Sequence, residues 1–80
     1  MEYEEIVESD ELTCFACPVI YDGFLKDGTP FYFRLRHGGA RLVLNDNDSL
    51  TQSMRAINGL EGVCSYEEYK QMFLMLYSKF

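Results

Sequence analysis

The chain has 80 residues, of which 48 % are hydrophobic and 15 % aromatic, and thirteen acidic against seven basic side chains give a net charge of −6 at pH 7. This apolar content excludes an intrinsically disordered chain, and the length predicts one domain. No apolar run approaches the roughly 20 residues that cross a bilayer, and the acidic start lacks the features of a secretory signal. We therefore predict a cytoplasmic protein that does not bind membranes.

The first twelve residues hold six acidic side chains and no basic one: Glu2, Glu4, Glu5, Glu8, Asp10 and Glu11. Because thirteen minus six leaves seven acids against seven bases in residues 13–80, the net charge resides in this segment. We predict an acidic arm at 1–12 and a single α+β domain at 13–80. Such an arm is solvated, folds back on the arginines of the hairpin at 31–44, or presents its carboxylates to a basic partner.

Residues 17–25, 31–37 and 40–44 are predicted strands, and Asp27-Gly28 and Gly38-Gly39 are predicted two-residue turns between them. Alternation in period two then separates two faces of the sheet. The core face holds Phe31, Phe33, Leu35, Leu42 and Leu44. The opposite face holds Tyr32, Arg34, Arg36, Arg41 and Val43. These turns place Arg36 opposite Arg41 and leave Asp22 opposite Phe33, a mismatch that a bulge at Asp22-Gly23 would relieve.

Two C-terminal helices are predicted to cover one face of this three-stranded antiparallel meander. The first, at 48–58, places Leu50, Met54 and Ile57 on one stripe. The second runs from residue 66 to the end, after a capping box formed by Ser65 and Glu68. Its apolar stripe leaves out Leu74 and Met75, which with Tyr77 are predicted to contact a protein partner or a second copy of the chain.

The three arginines on one strand pair are the second candidate site. Arg36 and Arg41 are like charges in direct register, which is unfavourable unless an anion lies between them. That anion is the acidic arm, a helix carboxylate such as Glu67, or an external phosphate. Because residues 13–80 carry no net charge, internal salt bridges are favoured. With Tyr32 and His37, the same face would alternatively bind an anion or a single-stranded nucleic acid.

No catalytic constellation is present, so we predict that the chain is not an enzyme and needs no cofactor. Its cysteines are interpreted as small buried hydrophobes. A zinc site formed by Cys14, Cys17, His37 and Cys64 is the alternative, although the paired spacing of structural zinc sites is not repeated.

The stretch Cys17-Pro18 … Asp27-Gly28-Thr29-Pro30-Phe31-Tyr32-Phe33-Arg34-Leu35-Arg36-His37-Gly38 resembles a "DG-x-PFYFR-x-RHG" hairpin found in small uncharacterised phage and actinobacterial proteins. The resemblance implies a short accessory protein encoded by a phage or mobile element, and no activity. By analogy of size and charge, the leading prediction is an inhibitor that resembles anti-CRISPR proteins. Its acidic arm would bind a basic surface of a host protein, such as one that handles nucleic acid.

Overall fold

The computed structural model describes residues 2–80 and contains one five-stranded antiparallel sheet. The strands lie side by side in sequence order: β1 (Val7–Phe15), β2 (Val19–Leu25), β3 (Pro30–Arg36), β4 (Gly39–Leu44) and β5 (Thr51–Arg55). A single-turn helix, α1 (Tyr3–Ile6), precedes the sheet. A 3-10 turn (Ile57–Gly59) and the helix α2 (Tyr66–Tyr77) follow it. None of the helices in this part of the chain is long and apolar enough to cross a membrane.

The predicted three-stranded meander with two C-terminal helices and an acidic arm is wrong, although the fold is α+β. Residues 7–15 form β1 and pair with β2 along its length. The first six of them belong to the predicted arm at 1–12. Residues 51–55, which were expected in the first helix, form β5 and pair with β4. Pairing with β4 satisfies the backbone groups of residues 51–55 and gives β4 a partner on its second side, and this pairing outweighs a helical stripe of only three apolar residues.

Both hairpins differ from the predicted registers. Between β2 and β3 the loop has three residues, with Gly28 at φ 90° and Leu25 N donating to Thr29 O at 2.8 Å. This shifts the register by one residue, so Asp22 lies opposite Tyr32 and the mismatch with Phe33 disappears. Between β3 and β4 the turn residues are His37 and Gly38, both at positive φ. The β3–β4 register is therefore shifted by two residues from the predicted one, and a shift by two keeps every side chain on its predicted face.

The core lies between one face of the sheet and α2. Of the predicted core face, Phe31, Phe33, Leu35 and Leu42 are buried and Leu44 is half-buried. Of the predicted stripe on the last helix, Tyr69, Met72, Phe73 and Leu76 are buried in α2, whereas its fifth residue, Phe80, lies beyond α2 and is exposed. The capping box forms as expected: Glu68 N donates to Ser65 Oγ at 3.1 Å, and Ser65 N donates to Glu68 Oε1 at 2.8 Å.

Hydrogen bonds and ring contacts of four tyrosines hold α1 and β1 against this core. Tyr3 Oη donates to Asp10, and Tyr66 Oη donates to the same carboxylate at 2.7 Å. Because the single Tyr3 hydroxyl proton is used in that bond, Tyr69 Oη is the donor in its 2.7 Å contact with Tyr3 Oη. Tyr21 stacks on Tyr69 with the ring centroids 3.8 Å apart. The N-terminal segment is therefore an integral part of the fold.

Candidate arginine face for anion binding

All four arginines of the chain lie on the face of the sheet that α2 does not cover. Arg34 pairs with Arg41, and Arg36 and Arg55 both pair with Gly39, one on each side. Residues that pair across antiparallel strands share a face, and residues two apart on one strand do so as well. We call Arg34, Arg36, Arg41 and Arg55 the arginine face. Gly39 leaves a gap between the side chains of Arg36 and Arg55.

The arginine face forms no ion pair with the described part of the chain. Within residues 2–80, the three ion pairs join Lys26 to Glu8, Lys70 to Glu4, and Lys70 to Glu67, and none of them involves an arginine. The favoured interpretation, internal salt bridging of Arg34, Arg36 and Arg41, is therefore not what this part of the chain forms. The Arg34–Arg41 pair, in which Arg34 is half-buried, costs about 0.2–1 kcal/mol as like charges in register.

Four of the six acidic residues expected in the arm have partners elsewhere. A hydrogen bond from Lys70 at 3.1 Å holds the pKa of Glu4 below its ordinary value of 4.5, and one from Lys26 at 2.8 Å does the same for the pKa of Glu8. Asp10 accepts from the two tyrosines described above. Glu5 accepts from the backbone of Glu2 at 3.2 Å. Glu2 and Glu11 are exposed.

A row of side chains next to the arginine face combines an aromatic ring with carboxylates. It crosses the strands in the order Glu11, Asp22, Tyr32, Val43 and Thr51. We call it the Tyr32 row. A shallow groove beside it is lined by Tyr32, Arg41, Val43, Asp46 and Asp48. The two aspartates in the loop after β4 form no ion pair with Arg41, so their carboxylate oxygens lie more than 4.0 Å from its guanidinium nitrogens.

The four residues of the alternative zinc site are not brought together. In residues 2–80 no group of three or more His, Cys, Asp or Glu side chains is arranged to hold a metal ion. Cys17 and His37 line one cavity of about 310 Å³ with Arg36, Glu61 and Gly62. Cys14 is half-buried and its Sγ donates to Ala16 O at 3.6 Å. Burial raises the pKa of the Cys64 thiol to about 11, which opposes the thiolate form that zinc requires.

The predicted apolar contact on α2 is only partly exposed. Leu74 and Tyr77 pack against the core, and Tyr77 stacks on Phe73 with the centroids 5.9 Å apart. Met75 remains, with 48 % of its surface exposed. One exposed methionine is an ordinary feature of a protein surface.

Comparison of the chain with protein-family models, curated proteins and solved structures finds no match. The site is therefore described by its own residues. Sequence reasoning identified Tyr32, Arg34, Arg36 and Arg41 as one face, which the register confirms. It missed Arg55, because residues 48–58 were predicted as a helix. The available signal was the short alternation of Gln52, Met54 and Ala56 towards the core with Thr51, Ser53 and Arg55 away from it.

Proposed function

We propose that this chain is a non-enzymatic binding protein whose arginine face binds a single-stranded nucleic acid. One observation carries the proposal: four guanidinium groups share one uncovered sheet face and have no carboxylate within 4.0 Å among residues 2–80. Of the anions considered for them, Glu4, Glu8 and Glu67 pair with lysines, Asp10 accepts from tyrosines, and no N-terminal acid of residues 2–80 forms an ion pair with an arginine. We therefore take an external anion as the counter-charge of this face.

The shape of this face favours a single strand over a duplex. Five strands at a spacing of about 4.8 Å span about 19 Å. The DNA major groove is roughly 12 Å wide, so this sheet face is too wide to enter it. A single strand lies flat on such a surface, with its phosphates beside arginines and its bases on aromatic rings. Tyr32 supplies a ring next to the arginine face, and Phe24, on the same side of β2, is 52 % exposed.

The net charge of −6 limits the affinity that this site can reach. Long-range repulsion of phosphates is reduced because exposed charges separated by more than about 10 Å are screened at 0.1 M salt. Lys26 and Lys70 also compensate Glu8 and Glu4 locally. We therefore expect weak binding that depends strongly on salt, with a dissociation constant of about 10–100 µM at physiological ionic strength.

Fluorescence anisotropy with labelled single-stranded RNA and DNA tests the proposal. The double variant Arg34→Gln/Arg41→Gln should bind at least about tenfold more weakly, because it removes two phosphate contacts. It also removes the like-charge repulsion that a bound anion would otherwise relieve. Lys26→Gln is the matched control: it removes one positive charge outside the arginine face and should change affinity little. If wild-type protein binds no single strand at low salt, the proposal is wrong.

A second candidate is protein binding through the N-terminal carboxylates, as expected of an inhibitor encoded by a phage or mobile element. It is supported by the exposure of Glu2 and Glu11, the latter on β1, which is an edge strand with a free outer side. Reversing Glu4 or Glu8 would break ion pairs, so the variant to use is Glu2→Gln/Glu11→Gln. If this candidate holds, tagged wild-type protein captures a stoichiometric basic partner from the native host and this variant does not.

A further inference from the structure

Tyr32 differs from the other tyrosines in its surroundings. In residues 2–80 the remaining five each pair with at least one aromatic ring, most of them in the core or around Asp10. Tyr32 has no aromatic partner in this part of the chain, and it lies half-buried between Asp22 on β2 and Val43 on β4. Tyr32 lines the shallow groove beside the Tyr32 row, where a planar ligand can reach it, and bases stack on aromatic side chains in single-strand complexes.

Asp22 supplies hydrogen-bond acceptors directly beside that ring. It is the register partner of Tyr32, so the Cβ atoms of the two residues are about 4.5–5.5 Å apart. One oxygen of Asp22 accepts from Thr13 Oγ1 at 3.1 Å. An ionised carboxylate has about four acceptor positions and no donor, which leaves most of its capacity unused. No lysine or arginine of residues 2–80 forms an ion pair with it.

The arginine face and the Tyr32 row would contact different parts of a single-stranded ligand. Two residues along a strand separate the Tyr32 row from Arg34 and Arg41, a distance of about 7 Å. Glu11 and Asp22 repel phosphates from the Tyr32 row, whereas the arginines attract them. The sugar-phosphate backbone would therefore cross the strands over the arginine face, and the bases would extend towards Tyr32.

We propose that Asp22 and Tyr32 form a base-recognition subsite that selects bases with an exocyclic amino group. A base stacked on Tyr32 donates its amino hydrogen to the carboxylate of Asp22, as carboxylates accept from cytosine N4 in other complexes. Cytosine, adenine and guanine carry that donor. Uracil and thymine lack it, and their one ring donor, N3–H, lies between two carbonyl oxygens that the carboxylate repels. This inference rests on the proposed function of the arginine face.

An acidic peptide is the competing occupant of this surface. It would satisfy the arginines, but it brings no base to stack on Tyr32 and adds further carboxylates beside Asp22 and Glu11. The chemistry of the Tyr32 row therefore favours nucleic acid, and a polyglutamate peptide provides the direct comparison.

The test is the affinity of wild-type protein for oligo(C), oligo(A) and oligo(U) of equal length at low salt. We expect oligo(C) and oligo(A) to bind at least about tenfold more tightly than oligo(U), the lower end of the ratio expected for one hydrogen bond to a charged group. Asp22→Asn should remove this difference, since an amide offers both a donor and an acceptor. Glu67→Gln, which removes the same charge on α2, should preserve it. Tyr32→Leu should weaken all three complexes.

The possible failures are distinguishable. Equal binding of the three homopolymers overturns the subsite and leaves the proposed function of the arginine face intact. Binding of polyglutamate as tightly as oligo(C) overturns the choice of ligand. Absence of binding to every homopolymer overturns both proposals. The ranking by wild-type protein decides the question even if a variant fails to fold.

Discussion

Gly23 in β2 lies between the backbone of Ser9 in β1 and the ring of Phe31 in β3. A Cβ atom at this position would overlap Ser9 O and would come within 2.7 Å of the Phe31 ring. The backbone oxygen cannot move without breaking the β1–β2 pairing. Only glycine permits the three strands to approach in this way. The bulge that the sequence predicts at Asp22-Gly23 is absent, because β2 pairs with β3 without a register shift.

Gly23→Ala is expected to destabilise the protein by about 3 kcal/mol, the range of an overpacked core position. Gly39→Ala is the matched control, because its Cβ would meet only Arg36 O at 3.5 Å and its φ is not positive. It should be neutral, or stabilising by up to about 1 kcal/mol. Urea unfolding of both variants measures the difference. Equal stabilities would contradict the close packing at Gly23.

The side chains of the candidate site were predictable where a residue sits inside a clear period-two pattern. Tyr32, Arg34 and Arg36 alternate with three buried apolar residues, so their common face follows from the sequence. Asp22 was placed on the wrong face, because the Asp27-Gly28 turn was assumed to have two residues. One additional loop residue changes the face of every side chain in the preceding strand.

Among the elements, α2 begins at the predicted residue but ends at Tyr77, before the predicted end, and β1 and β5 were missed. The helix has a capping box at Ser65 and a stripe that repeats over three turns, both local signals. β5 has five residues, too few for periodicity to distinguish a strand from a helix, and it is specified by its pairing with β4. β1 carries exposed acids on an edge strand, a pattern that protects a free edge from pairing and also suggests a solvated arm.

Ser65→Ala is expected to lower the free energy of unfolding by about 1 kcal/mol, because the first turn of α2 loses the acceptor for Glu68 N. Ser78→Ala serves as the control at the other end of the helix, where the hydroxyl donates to Met75 O at an exposed site. It should change stability by less than about 0.5 kcal/mol. Thermal unfolding followed by circular dichroism compares the two, and an equal loss would show that the cap contributes little.

At the scale of the whole molecule, the two faces of the sheet have different roles. One face forms the core with α2 and with the tyrosine cluster around Asp10. The other presents the arginine face and is not covered by any element in residues 2–80. Glu4, Glu8 and Asp10, which were predicted to lie in a separate acidic arm, instead hold α1 and β1 in place through Lys26, Lys70 and the tyrosines.

The tyrosine cluster predicts alkaline unfolding. Burial raises the pKa of Tyr3, Tyr21 and Tyr69 above the ordinary value of 10.0, and burial together with Asp10 raises the pKa of Tyr66 to about 12. A raised folded pKa contributes stability that is complete below pH 10 and is lost as the pH rises and the unfolded chain ionises. Phenolate absorbance of these tyrosines should therefore appear together with loss of near-ultraviolet dichroism. Their ionisation in a folded protein would contradict this.

The most direct test of the arginine face is the salt dependence of single-strand binding. Four phosphate contacts predict that the logarithm of the binding constant falls with the logarithm of salt concentration with a slope of about −3, and Arg34→Gln/Arg41→Gln should reduce the slope by about half. Lys26→Gln should leave it unchanged. A slope near zero, or one that the arginine substitutions do not alter, would contradict the assignment of this face to a nucleic-acid backbone.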